Sequence, residues 1–113
     1  IYSQESTPPT VNNVEMTRKL RTLWSEKMGP DILLPIEPDG MGAEDFPSFT
    51  TEPNIPSVYF MIGGTPKEDI EAAKAGGPAV PSHHSPLFKI SQEPSIKGGV
   101  EATVVALLDL MKK

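Results

Sequence analysis

The sequence predicts an α/β fold in which a few strands are covered by helices, and three observations predict it. Apolar residues recur at helical spacing after residue 12 and again after residue 98. Between them, residues 57–62 (Ser-Val-Tyr-Phe-Met-Ile) form an apolar run without polar alternation, typical of a strand covered on both faces. Helical and strand patterns that alternate indicate a layered sheet. The predicted strands are too few to close a domain alone.

The N-terminal segment is expected to be a short strand end followed by a linker. Residues 1–6 are mostly polar. Residues 7–10 are expected to be extended, because Pro8 and Pro9 fix their own φ and disfavour helix in the residue before them.

The first helix is predicted from Asn12 to about Met28. Asn12 and Glu15 form a capping-box pattern, and Gly29 followed by Pro30 ends the helix. The residues that share its apolar face are Met16, Leu20, Leu23 and Trp24. This face is expected to belong to the core, and a ligand platform at Trp24 is the alternative.

A turn-rich region separates this helix from the central strand. Residues 32–36 are predicted to be an edge strand, because Pro35 cannot donate a hydrogen bond to a sheet. A loop is expected over residues 37–42. Asp45, with Pro47 two residues later, is expected to open a short helix.

Two further helices are predicted after the central strand. Thr65 and Glu68 form a second capping box, and that helix is expected from Pro66 to about Ala75. The last helix is expected to begin after Ser95 or within residues 98–99. Its buried face is predicted to comprise Val100, Val104, Leu107, Leu108 and Met111.

Composition excludes several classes of function. The 113 residues fit one domain, and the net charge of −5 argues against binding to nucleic acid or to an anionic membrane surface. The chain has no cysteine, which excludes disulfides, thiolate catalysis and cysteine zinc sites. The compartment stays open between cytoplasm, periplasm and secretion. Ile1 is not a translation start, so the chain is expected to be trimmed or cut from a longer protein.

Two adjacent histidines, His83 and His84, are the clearest candidates for chemistry. They lie in a segment with a proline at either end, Pro81 and Pro86. If the backbone there is extended, the two side chains point to opposite faces, so only one of them is a good metal ligand. The alternative is a solvated loop with two incidental histidines.

Glu44 and Asp45 are a second candidate pair. They follow a Gly-rich turn, where carboxylates contact a substrate or support a site, or simply stabilise the N-terminus of a helix. Residues 63–65 (Gly-Gly-Thr) fit an approach to an anion and a plain capped turn equally well. A catalytic zinc needs about three protein ligands, so the chain by itself is not expected to be a complete enzyme.

Two motifs together resemble the metal-dependent amidohydrolases of peptidase clan MH, which include hippurate hydrolases, aminoacylases and carboxypeptidase-like enzymes. Residues 41–46 (Met-Gly-Ala-Glu-Asp-Phe) are similar to the family's Met-Gly-Gly-Glu-Asp-Phe, with Ala43 in place of a glycine. Residues 84–88 (His-Ser-Pro-Leu-Phe) are similar to its His-(Asn or Ser)-Pro-x-(Phe or Tyr).

The resemblance implies the C-terminal part of a layered α/β catalytic domain of the zinc-peptidase kind. Residues 1–12 would be the exit from a lid or dimerisation domain, and residues 13–113 the C-terminal portion of the catalytic domain. His84 would bind one of two divalent ions (zinc, manganese or nickel), while Glu44, Asp45 and His83 would lie beside the metals or on the substrate side.

The same resemblance puts the general base and the remaining metal ligands upstream of this chain. The partners would be the N-terminal catalytic portion, the lid domain and a small N-acyl amino acid or peptide substrate, and a homodimeric enzyme is left open. The rival interpretation is a non-enzymatic acidic α/β interaction module. In either case the chain alone is expected to expose apolar surface over residues 58–62 and 100–111.

Overall fold

The computed structural model describes residues 7–34 and 44–112, which contain three α-helices and two short 3-10 helices. The α-helices are α1 (Val14–Met28), α2 (Lys67–Lys74) and α3 (Gln92–Leu110). The 3-10 helices cover Pro30–Ile32 and Phe46–Phe49.

The predicted α/β layered fold is wrong for this part of the chain, because none of the described residues belongs to a strand. Among the described residues, no strand neighbours the central apolar segment 57–62, and one segment cannot form a sheet by itself. Residues at the start of α1 form hydrogen bonds with its backbone instead. Ser57 O accepts from Asn13 N at 2.8 Å, and the Asn12 side-chain amide bonds both backbone groups of Tyr59.

The chain divides into two compact units. The first unit comprises Ile1–Phe60 with Val105–Lys113, and the second comprises Met61–Val104. The boundary predicted between residues 12 and 13 concerns a longer protein and stays a prediction.

In the first unit, α1 begins one residue later than the capping pattern predicts. Asn13 is the N-cap, and its side-chain oxygen accepts from Met16 N at 2.9 Å. Asn12, the expected cap, instead bridges to Tyr59, with Asn12 Nδ2 donating to Tyr59 O at 2.8 Å and Tyr59 N donating to Asn12 Oδ1 at 2.7 Å. Asn13 therefore caps the helix, and the adjacent Asn12 holds Tyr59 against the start of the helix.

The core of the first unit forms on the predicted face of α1. Leu20 and Trp24 are 4% and 6% exposed, and the Trp24 ring lies 4.9 Å from the ring of Phe60. Trp24 is therefore a core residue, as expected. Lys19 Nζ lies 2.6 Å from Asp109 Oδ2, which joins α1 to the last turn of α3 by an ion pair.

The helix ends where the sequence predicts, at Met28, with Gly29 at a φ of 104° that favours glycine. The edge strand predicted over residues 32–36 is wrong for its described part, because Pro30–Ile32 is a 3-10 helix and residues 33–34 are not in a strand. The rest of that strand and the loop predicted at 37–42 lie outside the described residues.

In the second unit, α2 matches its predicted position, but Thr65 does not cap it. Pro66 is the N-cap residue and no side chain bonds the first turn. The C-terminus is closed by Gly77 N donating to Ala72 O and Gly76 N donating to Ala73 O, the pattern of a Schellman motif. Gly76 has a φ of 89°, and a Cβ on Gly77 would lie 2.8 Å from Ala72 O, so both positions require glycine.

The last helix, α3, begins earlier than predicted, at Gln92. Pro94 lies in its first turn, where a missing N–H costs nothing, and the helix continues through residues 98–99. The predicted buried face is wrong, because Ala102 and Ala106 are the buried residues of α3. The large side chains of the predicted face are all exposed: Val100, Val104, Leu107, Leu108 and Met111.

Exposure of this face confirms the expectation that the chain alone leaves apolar surface uncovered. The same holds for Phe60, Met61 and Ile62, which are 38–66% exposed, whereas Val58 and Tyr59 are half-buried. Among the described helices, none is long and apolar enough to cross a bilayer.

Candidate functional site

Glu44 is held by three hydrogen bonds at the start of the Phe46–Phe49 helix. One carboxylate oxygen accepts from Asp45 N at 2.9 Å and from Phe46 N at 3.1 Å. The other accepts from the Tyr59 hydroxyl at 2.9 Å. The Phe46 and Tyr59 rings are 5.3 Å apart, so ring packing supports the same contact.

These bonds favour the charged form of the carboxylate. The hydrogen bond from the Tyr59 hydroxyl is the largest cause that lowers the pKa of Glu44, followed by the Phe46 N–H. The Glu44 carboxylate in turn raises the pKa of Tyr59, first through this hydrogen bond and then through its charge. Glu44 is thus an ionised acceptor at neutral pH, not a proton donor.

Asp45 has a different environment from its neighbour. It is the N-cap residue of the Phe46–Phe49 helix, but its side chain makes no capping hydrogen bond and is exposed. Its backbone oxygen accepts from Ser48 N at 3.0 Å. The simpler interpretation of this pair is that its carboxylates stabilise the N-terminus of a helix. The Glu44 side chain does so, and the Asp45 side chain does not.

Sequence reasoning missed Tyr59 as the partner of Glu44. A tyrosine in an apolar run is a signal, because its hydroxyl usually finds a hydrogen-bond partner when the ring is packed. That signal does not say which carboxylate is the partner, since 15 residues separate the two.

A cleft of about 480 Å³ lies beside Phe46 in the first unit. Among the described residues, it is lined by proline, threonine, asparagine, serine and apolar side chains, none of which is titratable.

The two histidines belong to the second unit, where they form the centre of a tight turn. Ser85 N donates to Ser82 O at 2.9 Å, which closes a β-turn with His83 and His84 at its two central positions. A second turn follows directly, with Phe88 N donating to Ser85 O at 3.1 Å and Leu87 N to the Ser85 hydroxyl at 3.1 Å.

This turn overturns the expectation that the two imidazoles point to opposite faces. That expectation assumed extended backbone, whereas the observed backbone reverses direction at these residues. The His83 and His84 ring centres are 4.4 Å apart and their planes are inclined by 48°. Both residues are exposed.

The histidine loop is anchored to the segment that precedes α2. Ser91 N donates to Gly64 O at 2.7 Å, and the Ser95 hydroxyl donates to Gly63 O at 3.1 Å. A Cβ on Gly64 would lie 3.5 Å from Ile90, so the two segments pack closely. The carbonyl oxygens of Gly63 and Gly64 therefore anchor the start of α3.

The donor chemistry of the histidine turn fits a metal ion only in part. Exposed imidazoles suit zinc or nickel, whereas manganese prefers carboxylate and other oxygen ligands. Within residues 7–34 and 44–112, however, no three side chains of the metal-binding types come together. His84 is thus able to contribute a ligand, but the described part of the chain does not build a complete metal centre.

The four residues singled out from the sequence lie in different units. Glu44 and Asp45 belong to the first, and His83 and His84 to the second. No family model, no curated protein and no solved structure matches the chain. The resemblance to metal-dependent amidohydrolases therefore rests on the two sequence motifs alone.

Proposed function

We propose that the chain is the C-terminal part of a metal-dependent amidohydrolase that hydrolyses N-acyl amino acids or small peptide amides. The observation that carries the proposal is the presence of two motifs in one chain, Glu-Asp-Phe at 44–46 and His-Ser-Pro-Leu-Phe at 84–88. Either motif alone is short enough to arise by chance, whereas the pair in this order is more specific.

The local geometry of the second motif supports a ligand role for His84. Two consecutive turns, closed by Ser85 N and Phe88 N, restrict the backbone on both sides of the imidazole. Pro86 further biases Ser85 away from helix. A restricted, exposed imidazole is suited to hold a metal–nitrogen bond of roughly 2.0–2.1 Å.

The first motif supplies a fixed negative charge. Glu44 is already bonded to Tyr59 and to two backbone N–H groups, so it is better suited to orient neighbouring groups than to react. Asp45 keeps an exposed carboxylate and is the better candidate for a contact on the substrate side.

The proposal requires partners for the site. The other ligands and the general base would come from an N-terminal catalytic portion of the same enzyme, with a lid domain above the substrate. When bound, two divalent ions (zinc, manganese or nickel) would polarise the amide carbonyl and lower the pKa of a water. This chain's own task would be to hold one of the ions through His84.

A non-enzymatic interaction module is the second candidate, because α3 leaves large apolar side chains exposed. The exposed large side chains of α3 form an apolar surface that a partner protein would cover. The same surface would be covered by the remainder of an enzyme, so exposure by itself does not separate the two.

Sequencing the gene upstream of Ile1 separates the two candidates. The amidohydrolase requires at least two further histidines with clustered aspartates and glutamates, more than about 100 residues upstream, because the site needs about three protein ligands per metal. An unrelated domain or a stop codon there would support the module.

Activity gives a second, independent test. The 113-residue chain should turn over no N-acyl amino acid with zinc, manganese or nickel added, whereas the longer protein should do so and lose activity to a chelator. Turnover by the 113-residue chain that a chelator abolishes would contradict the division of the site proposed here.

A further inference from the structure

A series of hydrogen bonds within the first unit connects the start of α1 to Asp45. The Asn12 side chain donates to Tyr59 O at 2.8 Å and accepts from Tyr59 N at 2.7 Å. The Tyr59 hydroxyl donates to Glu44 Oε2 at 2.9 Å. Glu44 Oε1 in turn accepts from the backbone N–H groups of Asp45 and Phe46, at 2.9 and 3.1 Å. The backbone at Asp45 is therefore tied to α1 through Tyr59.

The Tyr59 hydroxyl is held where it meets the Glu44 carboxylate. Asn12 bonds both backbone groups of Tyr59, and the Tyr59 ring packs on the Phe46 ring with 5.3 Å between their centres. The residue is half-buried. A hydrogen bond to an ionised carboxylate is roughly twice as strong as one between neutral groups, so this contact is the strongest link in the series.

Asp45 has a fixed backbone and an exposed side chain. Its N–H donates to Glu44 Oε1, and its backbone oxygen accepts from Ser48 N at 3.0 Å. Its side chain makes no capping hydrogen bond. The backbone therefore sets the direction in which the carboxylate leaves the surface, and only the side-chain torsions remain to be ordered when it meets a partner.

From these contacts we propose that Tyr59 is a positioning residue of the amidohydrolase, whose hydroxyl acts through Glu44 to orient the exposed Asp45 carboxylate for contact with the substrate. The inference rests on the proposed function, in which Asp45 lies on the substrate side. An ionised carboxylate only accepts hydrogen bonds, so its contact is with a donor of the substrate such as the amide N–H. A preoriented contact loses less conformational entropy on binding, so removal of the Tyr59 hydroxyl weakens substrate binding.

The test is steady-state hydrolysis of an N-acyl amino acid by the full-length protein and by its Tyr59→Phe variant. The substitution removes the hydroxyl and keeps the ring that packs on Phe46. We expect KM to rise by about threefold or more, because one net hydrogen bond contributes about that much. The kcat should stay within about twofold, since a contact made equally in the ground state and the transition state changes KM alone.

A double-mutant cycle shows whether Tyr59 acts through Asp45. Asp45→Ala removes the contact itself and should raise KM by about tenfold or more, as expected for a hydrogen bond to a charged group. If Tyr59 orients Asp45, Tyr59→Phe should cause no further rise in KM in the Asp45→Ala background. A merely structural role of Tyr59 would instead give two effects that multiply.

Substitutions of Glu44 test the middle of the series. Glu44→Gln keeps an oxygen for the two N–H groups and gains an amide that donates to the Tyr59 hydroxyl, so KM should stay close to that of the unaltered protein. Glu44→Ala should raise KM at least as much as Tyr59→Phe. Thr17→Val is the matched control, because it removes a hydroxyl that donates to Asn13 O at 2.7 Å, away from Glu44. It should leave KM unchanged, and circular dichroism should show equal helix content in all variants.

The results that would overturn this inference differ from those that would overturn the proposed function. With an active full-length protein, unchanged KM in Tyr59→Phe or in Asp45→Ala would contradict the inference alone. Effects of these two substitutions that multiply, or a loss of kcat at constant KM in Tyr59→Phe, would do the same. Absence of hydrolysis by the unaltered full-length protein would overturn the proposed function and this inference with it.

Discussion

Asn12→Ala removes the contact that fixes the central apolar segment against the start of α1. The Asn12 side chain donates to Tyr59 O at 2.8 Å and accepts from Tyr59 N at 2.7 Å, so the substitution breaks two hydrogen bonds at once. Each contributes about 0.5–1.5 kcal/mol net, and the half-buried site lets water replace them only in part. We expect the free energy of unfolding to fall by about 1–3 kcal/mol.

Urea denaturation followed by Trp24 fluorescence measures this loss, because the Trp24 ring packs on Phe60, next to the segment that Asn12 holds. Thr22→Ala is the matched control. The exposed Thr22 hydroxyl donates to Arg18 O in its own helix, so this change should stay within about 0.5 kcal/mol. Amide hydrogen exchange at Tyr59 should accelerate in Asn12→Ala and not in the control.

Asn12→Asp tests the hydrogen bond to Tyr59 O separately from the hydrogen bond to Tyr59 N. A carboxylate keeps the acceptor for Tyr59 N but places a second acceptor opposite Tyr59 O, so it should cost at least as much as alanine at neutral pH. An unchanged unfolding midpoint in both Asn12 variants, with Tyr59 exchange unaltered, would refute the reasoning.

Three further outcomes follow from the packing and the charges. Leu20→Ala should cost about 2–5 kcal/mol in denaturation, since Leu20 is 4% exposed. The pKa of Glu44 is lowered from 4.5, so its stabilisation is present above that pH and lost as pH falls through the lowered value. Tyr59→Phe should raise that pKa in an NMR titration. We expect the chain to self-associate through the exposed apolar residues of α3, and Val104→Lys with Leu108→Lys should reduce this association in sedimentation.

Local signals in the sequence predicted the helices well. Gly29 and Gly76, both at positive φ, end α1 and α2 within a residue or two of the expected positions. The apolar spacing around Leu20 and Trp24 identified the core face of α1. Each of these signals depends on neighbours within one or two turns of the same helix, which the sequence specifies directly.

The sequence predicts less well which of two adjacent residues caps a helix and at which residue a helix begins. Asn12 and Asn13 have the same side chain, and only the position of Tyr59 decides which one caps α1. The glycines at residues 98–99 favour a later start for α3, but their helix cost of about 1 kcal/mol each is outweighed by the rest of a long helix.

The predicted sheet depends on an apolar run that forms a strand only beside another strand. An apolar run such as 57–62 indicates burial, but a strand also requires a neighbour, and none of the described residues provides one. The difference at the face of α3 has a related reason. Periodicity identifies which side chains share a face, but whether the large residues or Ala102 and Ala106 are covered depends on what packs there.

The geometry of the candidate site also depends on contacts that a local sequence pattern does not specify. Sequence identified His83 and His84, but their relative orientation depended on an assumed extended backbone, and the Ser82–Ser85 turn reverses it. Glu44 was identified as well, whereas its partner Tyr59 lies on a distant segment that no local pattern connects to it.

The metal content and turnover of the full-length protein with His84→Ala test the proposed function most directly. His83→Ala serves as the matched control, since it changes the neighbouring exposed imidazole on the same turn. If His84 is a ligand of the catalytic metals, His84→Ala should lose bound metal and nearly all hydrolysis of an N-acyl amino acid. His83→Ala should then cost no more than about 10–100-fold. Retention of metal and rate by His84→Ala, whether or not His83→Ala loses them, would contradict the proposal.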